Sequence, residues 1–353
     1  MAEDPELENK PSVIRLGCQV LDVDPEEGIL TLKDGTTVQK DLVVIADGQH
    51  DILNQKITGV DTPMQRSGQT AFRCLIPMKD ILEDPITKPL FENQAPGFWA
   101  PALPAKGVMC VTYPCRNNEI LNCLIVTRTL KSQATSDEDQ AIEDWNFPAS
   151  PAMLEAVLDG FHPSVRALMM KEPNIKMYTQ MKRDPLPKMF KGKAVLIGDA
   201  LAPKLLTHAQ GVSSSIEDAA ALEVLLNGVE SPGDVTSQPS AKLTERLSLL
   251  ETFRLPRQSA TQILTEPIVP GPMFMEMGKK AEARIRRYYQ GPLPPMTAVP
   301  HSVPICDFFF GYDVTSEAET VLAAAERINQ LAAEVKATVN IAQAEVPESP
   351  VRT

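Results

Sequence analysis

Long apolar runs are absent from the sequence, and so are clusters of basic residues. No run approaches the roughly 18 residues of a membrane-spanning helix, and the acidic start, Met1 to Glu6, lacks the basic character of a signal peptide. Lys and Arg number 34 against 46 Asp and Glu, which gives a net charge of −12. Because phosphate-backbone contacts depend on clustered cations, we expect no nucleic-acid partner, no membrane span and a cytoplasmic location.

Metal-binding patterns are missing as well. The six cysteines and four histidines show neither C-x-x-C nor H-x-x-x-H spacing, and a structural zinc site would require such spacing. We therefore expect no metal, and cysteines that are reduced and buried. Proline is frequent instead, at 31 of 353 residues, against a usual share of about 5%. This frequency predicts many short connections.

Two segments have the pattern of strands that are covered on both faces. Residues 41–48 and 193–200 each carry consecutive apolar residues followed by Asp and Gly, which is typical of parallel strands in an α/β sheet. An Asp34-Gly35 pair in an alternating segment predicts a hairpin before the first of them. Short strands without long intervening helices predict a separate antiparallel sheet, at 70–76, 107–113 and 120–127.

Helices are predicted in the second half of the chain. One covers residues 213–226, and another covers 243–255 and is expected to end at Pro256. A long amphipathic helix begins near Ser316, with apolar residues at spacings of three and four from Leu322 to Val339. We expect this apolar face to pack on the core of the same chain; the alternative is a dimer seam.

The second Asp-Gly turn carries the most chemical information. Asp199 follows a predicted buried strand at its carboxyl end, which is where open α/β sheets bind nucleotides. Its carboxylate can accept hydrogen bonds from ribose or ribityl hydroxyls, and the N-terminus of the next helix favours negative charge. Such turns occur throughout α/β proteins, so this pattern predicts a ligand site without identifying the ligand.

A series of seven motifs narrows the interpretation. In chain order they are Asp41–His50, Ser67–Arg73, Tyr113–Arg116, Glu143–Trp145, Phe161–Pro163, Gly198–Pro203 with Gln210-Gly211, and Glu217–Ala220. Over residues 12–315 this series resembles the FAD-dependent aromatic hydroxylases, specifically the salicylate-hydroxylase-like monooxygenases of fungal natural-product pathways.

The resemblance implies FAD and NADPH as cofactors. The Asp-Gly motif of this family contacts both nucleotides, the Gly-Asp motif holds the ribityl chain, and Pro203 and the stretch Gln210–Val212 border the isoalloxazine ring. There the helix N-terminus would stabilise negative charge on the ring. The cofactor-binding residues that the resemblance implies are Asp47, Gly48, Gly198, Asp199, Pro203, Gly211 and Val212.

Two residues of the predicted antiparallel sheet are implied as catalytic. Arg73 and Tyr113 match an Arg and a Tyr that orient the phenolate in related fungal hydroxylases. A guanidinium suits an oxyanion, and a phenol can share its proton. The alternatives are that Arg73 is a solvent-facing strand residue and that Tyr113 belongs to the core.

The sequence also departs from the family pattern. It contains no Gly-x-Gly-x-x-Gly, the cradle for the pyrophosphate, and it begins about where the first nucleotide-binding portion of the family ends. Ala202 replaces a customary His, residues 51–54 replace a Ser and an Arg, and Val212 is larger than usual. Two alternatives therefore stay open. The first is a flavin-free isomerase or cyclase that uses Arg73, Tyr113 or His208, and the second is a non-catalytic remnant.

We predict an α/β chain with α+β elements, a truncated flavin-monooxygenase fold. It combines a parallel-sheet remnant of the FAD domain, an antiparallel substrate-domain sheet and a C-terminal helical region. The expected activity is FAD-dependent hydroxylation of an aromatic, polyketide or terpenoid-type small molecule with NAD(P)H and O₂ in secondary metabolism. The predicted divisions are 1–65 (partial FAD domain), 66–185 (substrate domain), 186–265 (rest of the FAD domain) and 266–353 (C-terminal helices and tail).

Overall fold

The computed structural model describes residues 12–49, 51–129, 147–229, 240–266 and 274–344. The Glu143–Trp145 motif and His50 lie outside the described residues. The strands within these ranges form three sheets. They are β1 (Val20–Asp24), β2 (Ile29–Leu32), β3 (Thr37–Gln39), β4 (Val43–Ile45), β5 (Gln65–Pro77), β6 (Ala102–Leu103), β7 (Val108–Cys115), β8 (Ile120–Arg128), β9 (Phe147–Pro148), β10 (Lys176–Lys182), β11 (Phe190–Lys191) and β12 (Ala194–Leu196).

The helices are concentrated in the second half of the chain. Short 3₁₀ segments add Lys88–Leu90, Pro104–Lys106 and Leu206–His208. None of the helices in the described ranges is long and apolar enough to cross a bilayer. The α-helices are α1 (Asn54–Thr58), α2 (Met78–Glu83), α3 (Pro151–Leu158), α4 (Pro163–Met169), α5 (Gly198–Leu201), α6 (Gly211–Leu226), α7 (Ala241–Leu264), α8 (Phe274–Ile285), α9 (Val303–Phe310) and α10 (Val314–Ala344).

The largest sheet has six strands in the order β6-β7-β8-β5-β10-β9, and every pairing in it is antiparallel. Side chains alternate between its two faces because a strand has a period of two. One face carries Phe72 and Ile125, which pack with Leu154 of α3 and Leu168 of α4 in a buried core. The antiparallel sheet predicted from the sequence is confirmed.

The two strands that precede the Asp-containing turns are neighbours. β4 and β12 pair in parallel, with Ile45 opposite Leu196, and Ile197 N–H donates to the Ile45 carbonyl at 3.0 Å. Both strands pack in a core with α6 and α7. The hairpin predicted around Asp34-Gly35 is also present, as the antiparallel pair β2 and β3. The four domain divisions stay a prediction.

Helix α7 contradicts the prediction that Pro256 ends it. The helix continues through the proline to Leu264. A proline inside a helix removes one hydrogen bond and costs about 3 kcal/mol or more. Here Ala260, Ile263 and Leu264 are buried against α8 and α9, and this packing offsets the local cost. Propensity alone could not predict the outcome because the burial is tertiary.

The long C-terminal helix packs on the core over less of its length than predicted. Val314 and Ala318 are buried, but Ile328, Leu331 and Val335 are exposed by 66%, 44% and 62%. In the described part, Asn329 Nδ2 still donates to Glu245 Oε1, at 2.6 Å, near the start of the antiparallel neighbour α7. At 1.5 Å per residue, the helix then extends past the end of that neighbour, so its apolar face has no core to cover.

Candidate functional site

The parallel pairing of β4 and β12 brings the two acidic turns to one edge of the sheet. Asp47 and Gly48 follow β4, and Gly48 has a φ of +87°, a conformation that glycine adopts readily. Gly198 and Asp199 follow β12, and Gly198 has a φ of +58°. A Cβ on Gly198 would lie 2.6 Å from Ser215 Oγ. This turn therefore packs too closely against α6 to tolerate a side chain at Gly198.

The carboxylate of Asp199 lies beside the N-terminus of α6. Both of its oxygens would lie 3.8 Å from a Cβ on Gly211, the first residue of that helix. Burial raises the pKa of Asp199, and the charge and backbone N–H of Lys204 and the charge of Arg183 oppose that effect. Its Oδ1 is buried and accepts no hydrogen bond from any described residue. A buried acceptor without a partner is costly, and a ligand hydroxyl would satisfy it.

The N-terminus of α6 is itself free of a side-chain cap. Gln210 occupies the N-cap position, but its Nε2 donates to the carbonyl of His208 at 3.0 Å. The N–H groups in the first turn of a helix have no intrahelical acceptors, and together with the helix dipole they attract negative charge. The carboxylate acceptor and these donors thus lie side by side.

Arg183 connects the two turns, and sequence reasoning missed it. Its side chain is only 2% exposed. It donates to the carbonyls of Ala200 and Leu201 in the second turn, and its charge acts on Asp47, Asp51 and Asp199. The residue follows β10, far from either motif in the sequence, so no local pattern identifies it.

Asp51 forms the other side of this charge cluster. Its side chain is 8% exposed, and its Oδ1 accepts from Leu53 N–H at 2.6 Å. Burial raises the pKa of both Asp51 and Asp47, and the neighbouring Asp51 raises that of Asp47 further. The position that departs from the family pattern therefore adds a carboxylate to the site.

A buried ionic network beneath the site fixes the second turn. Asp218 Oδ2 accepts from Gly198 N–H at 2.9 Å and from Gln258 Nε2 at 2.7 Å. Its Oδ1 accepts from Arg254 Nε at 2.8 Å, and Arg254 also pairs with Glu217 at 2.8 Å. The Glu217-Asp218 motif on α6 thus holds the backbone of the Gly198 turn.

The remaining predicted cofactor residues lie between α5 and the first turn of α6. Pro203 is buried in the loop that follows α5. Val212, in the first turn of α6, is 73% exposed. Lys204, directly after Pro203, donates to the Ala202 carbonyl at 2.8 Å and to Gln258 Oε1 at 2.6 Å, and burial lowers its pKa to about 8. This lysine was not singled out in the sequence.

Arg73 and Tyr113 share the face of the six-stranded sheet that points away from its core. Arg73 lies opposite Leu124, and Tyr113 lies opposite Asn122 one row further along. Arg73 Nε donates to Asn122 Oδ1 at 3.4 Å, and Tyr113 is 44% exposed. Tyr113 is therefore not a core residue. The structure places both residues on one surface, as their predicted role requires.

Tyr178 on β10 belongs to the same surface and was missed in the sequence. It lies opposite Ala71, one row from Arg73. Burial raises its pKa to about 12, with Arg73 opposing and Tyr113 adding to the effect. Its hydroxyl is thus protonated at neutral pH. Side chains of β10 alternate between the two faces of the sheet, but this alternation assigns Tyr178 to a face only once the register of β10 with β5 is known.

His208 is unsuited to the acid–base role considered above. It is 6% exposed, and its ring lies 5.5 Å from that of His301 and 5.3 Å from that of Phe309. Burial lowers its pKa to about 3, and His301 lowers it further. An imidazole with this pKa is neutral at pH 7 and a weak base.

The residues present fit the ribityl end of a flavin. Asp199 supplies a buried acceptor without a partner, and Gly211 and the uncapped helix N-terminus supply donors beside it. The sequence supplies no Gly-x-Gly-x-x-Gly cradle for the pyrophosphate. The described residues contain no group of three or more His, Cys, Asp and Glu side chains arranged to hold a metal ion.

Comparison with known proteins supports a flavin as the cofactor. No protein-family model matches the chain. The FAD-dependent monooxygenase phomE' of Diaporthe leptostromiformis is 29% identical over 327 residues, which cover 92% of this chain and 75% of that protein. Hispidin-3-hydroxylase of Neonothopanus nambi is 30% identical over 284 residues, 76% of this chain and 63% of that protein.

Solved structures give the same fold. A salicylate hydroxylase in complex with its substrate superimposes with a TM-score of 0.61 at 20% identity, over 86% of this chain and 70% of that one. The resemblance inferred from the seven motifs and the predicted fold are confirmed. The flavin-free alternative is not favoured by these relatives. The roles of the individual site residues stay predictions.

Proposed function

The chain is related to the FAD-dependent monooxygenases of the salicylate-hydroxylase-like type, and we propose that it hydroxylates a small aromatic molecule in secondary metabolism. The single observation that carries the proposal is the buried Oδ1 of Asp199, which has no hydrogen-bond partner among the described residues, beside the uncapped N-terminus of α6. FAD, when bound, supplies the redox chemistry, which uses NADPH and O₂. A cytoplasmic location stays a prediction.

The chain's own residues would bind the flavin and orient the substrate. Asp199 would accept hydrogen bonds from ribityl hydroxyls, and Pro203 and the stretch Gln210–Val212 would border the ring. The first-turn N–H groups of α6 would stabilise negative charge on the ring. Asp47 and Gly48 would contact the two nucleotides, and the charge of Arg183 acts on both Asp47 and Asp199.

Arg73 and Tyr113 are proposed to orient the substrate. Both project from the outer face of the six-stranded sheet, and the far end of that face contacts the loop that follows Pro203, because Gln180 Oε1 accepts from Leu206 N–H at 3.1 Å. A guanidinium and a phenol on that surface suit a phenolate substrate.

The test measures flavin binding by the Asp199→Asn variant. Loss of hydrogen bonds to a charged acceptor is worth about 1.5–3 kcal/mol, so we expect FAD affinity, measured by quenching of flavin fluorescence, to fall at least about tenfold. Asp159→Asn, an exposed carboxylate near Lys106, is the matched control and should bind FAD like the parent. Equal FAD affinity of the Asp199→Asn variant and the parent would contradict the proposal.

The same substitution should stabilise the flavin-free protein at neutral pH. Burial raises the pKa of Asp199 above its unfolded value, so the stability linked to this group is complete below the unfolded pKa and is lost as pH rises through the folded pKa. Asn has no charge to bury. We expect a higher Tm at pH 7 for Asp199→Asn, with weaker flavin binding.

A further inference from the structure

Lys176 of β10 lies directly opposite Arg73 of β5 in the six-stranded sheet. Residues that are directly opposite in an antiparallel pair project from the same face, with their Cβ atoms about 4.5–5.5 Å apart. Two cations therefore lie side by side on the outer face that also carries Tyr113. Like charges in this arrangement destabilise a sheet, and a bound anion would remove that cost.

No carboxylate of the described residues neutralises these two cations. Neither Arg73 nor Lys176 forms a salt bridge within the described ranges. Glu172 lies shortly before β10, but both of its oxygens are engaged by the backbone. Its Oε1 accepts from Asn174 N–H at 2.7 Å, and its Oε2 accepts from Leu75 N–H at 3.2 Å. The two positive charges thus stay available to a ligand.

The other titratable groups beside the pair are two tyrosines. Tyr178 lies one row from Arg73 on one side, and Tyr113 lies one row away on the other. Burial raises the pKa of Tyr178 to about 12, so its hydroxyl is uncharged at neutral pH. The neighbours from the remaining strands carry no charge and are Leu124 and Asn122 of β8 and Pro148 of β9.

The surroundings of the cations strengthen their attraction for an anion. Met109 and Val111 form a small apolar cluster with Leu124, which lies directly opposite Arg73. Apolar neighbours lower the local dielectric and so increase the energy of a charge pair. Asn122 Oδ1 accepts from Arg73 Nε at 3.4 Å. This bond holds the guanidinium by Nε and leaves its two Nη groups for a ligand.

We propose that Arg73 and Lys176 together bind an ionised oxygen of the substrate, and that Lys176 makes the site select anionic over uncharged ligands. Arg73 supplies planar N–H donors, and Lys176 supplies a compact positive charge. Lys176 belongs to none of the seven motifs, because only the register of β10 with β5 brings it opposite Arg73. The inference rests on the proposed function in treating this ligand as the substrate, but the binding itself requires no flavin.

The experiment uses 4-nitrophenol as the probe, because its ionised form absorbs visible light and its uncharged form does not. The probe is titrated into the full chain without flavin at a series of pH values. Two adjacent cations favour the ionised form, which should bind about tenfold more tightly than the uncharged form. The bound probe should therefore ionise about one pH unit below the free probe.

Variants of Lys176 test its share of this preference. In Lys176→Gln one cation remains, and the preference for the ionised probe should fall to about threefold, whereas Lys176→Arg should retain it. Lys280→Gln is the matched control. It changes an exposed lysine of α8 that pairs with Glu276, and it should leave the preference unchanged. In the ligand-free chain, Lys176→Gln should not lower the Tm, because it removes a repulsion between like charges.

Three results would overturn the inference: equal affinity for the two forms of the probe, an unchanged preference in Lys176→Gln, or a Tm of Lys176→Gln well below that of the parent. The last of these would assign Lys176 a structural role. Failure of the proposed function is separately visible. In that case FAD does not bind, whereas the chain still prefers the ionised probe and still loses that preference in Lys176→Gln.

Discussion

The turn region around Asp199 and the outer face of the six-stranded sheet hold their polar residues in different ways. In the turn region, Arg183, Asp218 and Arg254 are 2%, 0% and 0% exposed and bond to one another or to the turn backbone. On the sheet face, Tyr113 is 44% exposed, and the strands are positioned by backbone pairing and by the core on the opposite face. The first region therefore depends on its charges for stability, and the second is free to vary its side chains.

The largest effect is expected from breaking the network beneath the turn. Asp218→Ala leaves the buried Arg254 with one of its two carboxylate partners, and loss of one member of a buried ion pair costs about 3–5 kcal/mol. The free energy of unfolding, measured in urea, should fall by that amount. Asp159→Ala, at an exposed pair with Lys106, should leave it nearly unchanged. A small change in the free energy of unfolding of Asp218→Ala would show that the turn region does not depend on its buried charges more than the sheet face does.

Arg183→Gln should have the next largest effect. The carbonyls of Ala200 and Leu201 lose their donor, at about 1–3 kcal/mol. Without the guanidinium, the pKa values of Asp51 and Asp199 rise further, so the loss of stability should be larger at pH 7 than at pH 4. Urea unfolding at both pH values measures this difference. An equal loss at both pH values would show that Arg183 acts only through its hydrogen bonds.

The stability linked to His208 should depend on pH in the opposite direction to that of Asp51 and Asp199. Its pKa in the folded state, about 3, lies below the unfolded value near 6.5, so the stability linked to it is complete above 6.5 and is lost as pH falls towards 3. One such proton changes the free energy of unfolding by about 1.4 kcal/mol per pH unit. His208→Leu should therefore reduce the fall in Tm between pH 6.5 and 4.5. An unchanged pH profile would contradict the burial of this imidazole.

The smallest effect on stability is expected on the sheet face. Arg73→Ala should change the free energy of unfolding by less than about 0.5 kcal/mol, as exposed substitutions usually do. Turnover of an aromatic substrate by the flavin-loaded protein should nevertheless fall. Arg166→Ala, on helix α4 and paired with Glu155, is the control for loss of an exposed cation. Unchanged turnover in Arg73→Ala would refute its proposed role.

The parallel strand pair, the hairpin and the antiparallel sheet could all be predicted because each has a local period or a turn pair. The extent of α7 past Pro256 and the exposure of Ile328 could not, since both depend on what packs beside a helix. Within the site, Asp47 and Asp199 were identified as strand-terminal carboxylates. Arg183 could not be identified in this way, because it reaches the site from β10.

The sequence by itself determined the order of strands and acidic turns and, through seven spaced motifs, the relation to flavin monooxygenases. Only the tertiary structure decided which oxygen of Asp199 lacks a partner, that Arg183 lies between the two turns, and that Lys176 lies opposite Arg73. The physical reason is that strand and helix patterns repeat over a few residues. Burial and the pairing of charges arise between residues far apart in the chain, after the backbone has folded.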